Sequence, residues 1–311
     1  LILPFFFVHI PKTAGTSFRK ACENYFGSVY SVYDYSPSSS ETSPLVLESI
    51  YQNQDLYFFF EAVKKSKISF LSGHVNAGKY IHLFDACKTL TFLRDPVQRV
   101  VSEYYHFVRH NNYKGDLPSF YRKPQFINRQ SKMLHGVPVE ALGFVGLTER
   151  YEQGLDILNH AYGTNIQSVS MNMGRKDKTA EYELPEEQLS EIRRLNEDDL
   201  QLYDHAKRLF LEREALFQQG KPYVHGAIQQ QSTKSISGWA WWQGNDDSVE
   251  LAIEVDGETV ATVYAKDLRP GLLRLGLPRR GYVGFHHNFA EPLSEDTVVT
   301  VRVAKTGQCI G

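Results

Sequence analysis

Over the first two thirds of the chain, short apolar runs alternate with stretches of helical period, the pattern of βαβ units wound around a parallel sheet. Residues 5–10 predict the first strand. After a loop at 11–17, Phe18, Ala21, Cys22, Tyr25 and Phe26 fall at helical spacing and predict a helix with one apolar stripe. The Ser/Pro-rich stretch 36–44 predicts a loop. Residues 68–71 and 89–93 predict two more buried strands, the second running directly into a helix from 96 to about 110. Charged and apolar residues alternate at helical period over 151–161 and 185–219, which predicts surface helices packed on the sheet.

Near Gly220 the pattern changes. Residues 238–242, 249–255, 259–264 and 297–303 are short strand-like runs, and Asp256-Gly257 between two of them is a hairpin signal. The expected architecture is an α/β unit over 1–222, with helices on both faces of a parallel sheet, followed by a small all-β unit of sandwich type over 223–311. Trp239, Trp241 and Trp242 lie in one of the β runs, where they are expected to fill a core; exposed rings would instead stack on sugars.

Composition then narrows the partners. Lys and Arg number 34 against 36 Asp and Glu, a net charge of −2, which argues against an obligatory nucleic-acid partner. Cys22, Cys87 and Cys309 are an odd, sparse set without CxxC spacing, so neither a disulfide scaffold nor a zinc site is expected, and a reducing compartment fits. The apolar run at 1–10 is interrupted by Pro4 and is shorter than the about 20 residues of a membrane span. The sequence does not begin with Met, which leaves an upstream anchor or signal open.

Two segments carry candidate chemistry. The first is His9-Ile10-Pro11-Lys12-Thr13-Ala14-Gly15-Thr16-Ser17-Phe18, between a buried strand and a helix. Backbone N–H groups and the positive end of the helix dipole make an anion site there; Lys12 adds charge, Gly15 permits close approach, and Thr16 and Ser17 add hydroxyls. Lys12 precedes the glycine, which is not the order of a Walker A loop. The second is Arg94-Asp95-Pro96-Val97-Gln98-Arg99-Val100-Val101-Ser102-Glu103-Tyr104-Tyr105. Asp95 as N-cap, Pro96 at the first helical position and Gln98 completing a capping box explain a helix start. They leave Arg94 unexplained, at the carboxyl end of a strand where α/β sheets bind ligands, with Ser102 two turns along. Arg94 and Ser102 could together grip a second phosphate, while Arg99 reads as a solvated or salt-bridged helix residue.

In this order and about 80 residues apart, the two segments resemble the 5′-phosphosulfate loop and the 3′-phosphate motif of carbohydrate sulfotransferases that use 3′-phosphoadenosine 5′-phosphosulfate (PAPS), particularly the heparan sulfate and dermatan/chondroitin 2-O-sulfotransferases. Ser72-Gly73-His74-Val75, Asn128-Arg129-Gln130 and Gly146-Leu147-Thr148-Glu149-Arg150-Tyr151 resemble the same family, and the similarity spans roughly residues 5–180. The resemblance implies a P-loop-NTPase-like fold and in-line transfer of a sulfuryl group from PAPS to a carbohydrate hydroxyl. It implies that Lys12 neutralises the leaving nucleotide, that Thr13, Ala14, Gly15, Thr16 and Ser17 cradle the phosphosulfate, and that Arg94 and Ser102 bind the 3′-phosphate. His74 is implied as the base, with His9 beside the loop as a turn-orienting residue and runner-up base. Ser72 stands where the heparan enzymes have a His. Arg175 and Lys176, in a basic loop, are weaker candidates for closing over the nucleotide.

No metal is implied. The tail resembles small β modules appended to bacterial glycan-modifying enzymes, which implies a bacterial, cytoplasmic protein; a trimmed eukaryotic chain would imply the Golgi lumen. A small-molecule kinase and a noncatalytic glycan-binding protein are the alternatives.

Overall fold

The structure, a computed structural model, describes residues 4–169 and 181–311. The chain opens with β1 (Phe5–Val8), every residue of which is buried, and passes through a tight loop into α1 (Gly15–Phe26). β2 (Ser31–Asp34) follows, then the short α2 (Pro44–Val46), α3 (Leu56–Lys65) and β3 (Phe70–Gly73). After α4 (Ile81–Phe84), β4 (Thr89–Leu93) leads directly into α5 (Pro96–His110). Then come α6 (Leu117–Tyr121), α7 (Arg129–Leu134), β5 (Phe144–Leu147) and α8 (Tyr151–Tyr162), and finally α9 (Glu186–Leu195) and α10 (Glu197–Gln218).

The five strands form one sheet in the order β2-β3-β1-β4-β5, and every pairing is parallel. β1, β3 and β4 are buried along their whole length because helices cover both faces; β1 (FFFV) accordingly reads as an unbroken apolar run, while Ser72, Thr89 and Thr91 are buried polar members of β3 and β4. From β1 the chain moves outward to β2, whereas from β4 it moves the opposite way to β5. The loops after β1 and β4 therefore diverge, opening a crevice at the carboxyl edge where such sheets take ligands. The core beneath is strongly aromatic: Phe7 packs against Phe18 at 4.7 Å, and Phe18 against Phe92 at 5.2 Å.

Beyond residue 222 the chain is antiparallel. β6 (Val224–Gln231), β7 (Ser235–Trp242), β10 (Asp267–Leu268) and β11 (Tyr282–Asn288) form one sheet. β8 (Val249–Val255), β9 (Glu258–Ala265), β12 (Val299–Val303) and β13 (Cys309–Ile310) form the other. Asp256 and Gly257, both at positive φ, turn β8 into β9 as the dipeptide predicts. β7 is buried on both sides. Ile236, Ala240 and Trp242 point between the two sheets, while Trp239 and Trp241, on the alternate face, join the core of the α/β unit. All three tryptophans are thus core residues, and none presents an exposed ring for a sugar to stack on.

Candidate functional site

The loop between β1 and α1 is shaped by two residues in the left-handed region, Lys12 (φ 69°) and Ala14 (φ 62°). Ala14 occupies the N-cap position and provides no side-chain cap. Among the described residues, none of the backbone N–H groups from Lys12 to Ser17 is hydrogen-bonded; the first helical bond is Phe18 N–H to the Ala14 carbonyl. A run of unspent donors at the positive end of a twelve-residue helix is an anion cradle. The hydroxyls of Thr16 and Ser17 likewise have no partner among the described residues. Thr13 differs: its side chain is buried and donates to the Ile10 carbonyl at 2.9 Å, so only its backbone can face a ligand. Gly15 is needed for a different neighbour than the expected ligand, because a Cβ there would meet the His9 ring at 2.0 Å.

Lys12 stands at a cationic focus. Burial lowers its pKa most, and the nearby Arg109 and Arg94 lower it further, against an opposing pull from Glu103. The Arg94 guanidinium donates to the Lys12 carbonyl at 3.3 Å, which ties the loops after β1 and β4 together. Its backbone is pinned on both sides by the buried Gln130 of α7, which accepts from Arg94 N–H at 3.0 Å and donates to Arg94 C=O at 2.9 Å.

Asp95 caps α5 as its sequence predicts, accepting from Gln98 N–H at 2.9 Å. The capping box is not completed: the Gln98 amide instead binds the backbone of Tyr182 at both N–H and C=O. Of its two expected states Arg99 takes the salt-bridged one, and it does so wholly buried, donating to Glu103 at 2.6 Å and to the Phe126 carbonyl at 2.8 Å. Glu103 also holds Arg129 at 2.5 Å. Ser102 lies buried on α5, its hydroxyl without a partner among the described residues. His106, one turn beyond, has its pKa lowered by burial and then by Lys12, which places this face of α5 over the same cleft.

On the other side of β1, His74 follows the end of β3. Its Nδ1 lies 2.6 Å from the His9 carbonyl, an acceptor only, so Nδ1 carries the proton and Nε2 presents its lone pair. His9 and Tyr35 wall the ring at 4.5 and 4.7 Å, while its outer face stays exposed. Burial of the remainder lowers its pKa, helped by Arg129 and opposed by the His9 carbonyl, Glu103 and Glu41. Ser72 is fully buried beneath, within 3.3 Å of the Tyr35 hydroxyl. Residues 11–17, His74 and Arg94 are therefore gathered around the tip of β1. Arg175 and Lys176 lie outside the described residues.

Residues 3–137 match the sulfotransferase family. The matched segment runs from β1 through α7 and includes Lys12, His74, Arg94, Ser102 and Gln130. It supports a transferase that moves a sulfuryl group, on the parallel five-stranded sheet flanked by helices that such enzymes share. No curated protein matches the chain. Within the matched segment, Tyr35, Glu103, Arg109, Arg129 and Gln130 complete the cleft. Of these, the sequence motifs contain Glu103, Arg129 and Gln130, without a role for any of the three, and not Tyr35 or Arg109.

Proposed function

We propose that the protein transfers a sulfuryl group from PAPS to a hydroxyl of a carbohydrate acceptor by in-line displacement. The observation that carries this reading is the opposition of two functions across β1: an unspent anion cradle with Lys12 and Arg94 on one side, and the outward lone pair of His74 on the other. The donor supplies an activated S–O bond. The chain's own residues hold the phosphosulfate with the N–H groups from Lys12 to Ser17, and Lys12 offsets the charge that develops on the departing phosphate oxygen. Arg94 and Ser102 hold the 3′-phosphate.

His74 accepts the acceptor's hydroxyl proton at Nε2 as the new O–S bond forms. The bond from sulfur to the phosphate oxygen breaks, and its electron pair leaves with 3′-phosphoadenosine 5′-phosphate. No covalent intermediate on the protein is required. The carbohydrate class of the acceptor rests on resemblance to the carbohydrate enzymes.

Labelled sulfate transfer from PAPS to a panel of glycans tests the reading. The wild type should label at least one glycan. His74→Ala should lose activity by about 10²–10⁴-fold while still binding 3′-phosphoadenosine 5′-phosphate. Near-normal turnover in His74→Ala would remove that residue from the role of base.

A further inference from the structure

We propose that His9 is a further catalytic residue, a neutral imidazole that donates a hydrogen bond from Nε2 to an oxygen of the group being transferred. The inference rests on the sulfuryl-transfer reading and deepens it.

His9 is only 5% exposed, yet its ring reaches the mouth of the cradle. The Cδ2–Nε2 edge fills the space a Gly15 side chain would take, at 2.0 and 2.3 Å from the position of its Cβ. Gly15 is the first residue of α1, in the middle of the unbonded N–H run. Nε2 itself has no hydrogen-bond partner among the described residues, and it is not among the sealed polar atoms such as Arg99 Nε and Trp241 Nε1. Nε2 is thus open toward the run of unspent donors, where a bound group can complete its hydrogen bonding.

The other nitrogen decides which proton state the ring adopts. Nδ1 lies 2.8 Å from the Tyr35 hydroxyl, which in turn lies 3.3 Å from the buried hydroxyl of Ser72. When Ser72 donates to Tyr35 and Tyr35 donates to Nδ1, the single proton of neutral His9 sits on Nε2 and points at the cradle. The reverse direction would aim a lone pair at the bound anion, so anion binding selects the first. His9 stays neutral because burial, then His74, Arg19 and Lys12, all push against its protonation.

Position matches this role. The group in transit passes between the leaving-group side, marked by Lys12, and the base side, marked by His74. His9 stands between them: its carbonyl orients His74 at 2.6 Å, its ring lies 4.5 Å from the His74 ring, and Lys12 is three residues along the same loop. With Nδ1 occupied by a phenol and Nε2 protonated, His9 has no lone pair to offer as a base.

The test uses His9→Asn, which cannot reach the Nε2 position, and His9→Gln, whose amide nitrogen can. Transfer rates, affinity for 3′-phosphoadenosine 5′-phosphate and melting temperature are measured for each, with the ¹⁵N imidazole spectrum of nucleotide-bound wild type. Loss of one such donor is expected to lower kcat by about 10²–10³-fold, with nucleotide affinity changed less than about threefold and at least a tenfold recovery in His9→Gln. The spectrum should show His9 neutral with its proton on Nε2. Wild-type kcat in His9→Asn, a proton on Nδ1 in the bound state, or a stably folded His9→Gln no better than His9→Asn would each overturn the proposal. Should His9→Asn fail to fold, the wild-type spectrum still decides. A wild type that neither binds the nucleotide nor transfers sulfate would sink the parent reading, an outcome distinct from an active wild type with an undiminished His9→Asn.

Discussion

His74 and His9 share a carbonyl and a ring contact yet have opposite hydrogen-bonding polarity, and the difference comes from what each nitrogen faces. A backbone carbonyl can only accept, so it fixes the His74 proton on Nδ1; a tyrosine hydroxyl can donate, so it permits the proton of His9 on Nε2. Because the pKa of His74 is lowered, chiefly by burial and also by Arg129, its neutral form persists below the ordinary value of 6.5. Activity that needs a neutral base should therefore be full at pH 7 and fall as pH drops through a midpoint below 6.5. Arg129→Gln removes a lowering influence and frees Glu103 to act more strongly in the raising direction, so the acid limb should move up. A pH profile of kcat/KM checks this; a wild-type limb above 6.5, or a downward shift in Arg129→Gln, contradicts it.

Among the elements, the ones legible in sequence are those whose signals are local. β4 and α5 match their expected limits because Asp95 and Pro96 mark the boundary within two residues. The first strand ends at Val8 rather than Ile10, since His9 and Ile10 begin the turn that builds the cradle. β2 (SVYD) and β5 (FVGL) were not foreseen: four residues with small or polar members carry too little pattern. Residues 185–219 form two helices, broken at the buried Asn196, whose side chain accepts from Asn128 N–H. The candidate site divides the same way. Lys12, Arg94 and His74 stand out through motif chemistry, whereas Tyr35, at the start of a Ser/Pro loop, owes its place to a partner 26 residues away in sequence. Gln130 supports Arg94 across 36 residues, and nothing near it in sequence announces that contact.

At the scale of the whole molecule, the C-terminal sheets share a core with the α/β unit through Trp239 and Trp241, and the junction also contains charge-sensitive groups. His225 is buried between the Glu140 carbonyl and the Gln243 side chain, and Gln243 also accepts from Arg213. Burial, then Arg213, pushes the His225 pKa down to about 4. Above pH 6.5 neither folded nor unfolded chain protonates this ring appreciably. As pH falls from 6.5 toward 4 the unfolded chain takes up the proton and the folded one does not, so stability is lost, by up to about 3 kcal/mol.

Asp85, pushed up to about 6 by burial, acts oppositely in much of that window, so the difference between wild type and His225→Gln is the quantity to measure. The wild type should lose more melting temperature than His225→Gln between pH 6.5 and 4. Parallel losses would contradict the assignment.

The central claim is a cleft built for a nucleotide that carries a second phosphate, and a calorimetric titration of 3′-phosphoadenosine 5′-phosphate against adenosine 5′-monophosphate tests it most directly. A charge-assisted contact to the 3′-phosphate predicts about 10–100-fold tighter binding of the 3′-phosphorylated nucleotide, with most of that preference lost in Arg94→Ala. Equal affinities for the two nucleotides in the wild type would contradict the account.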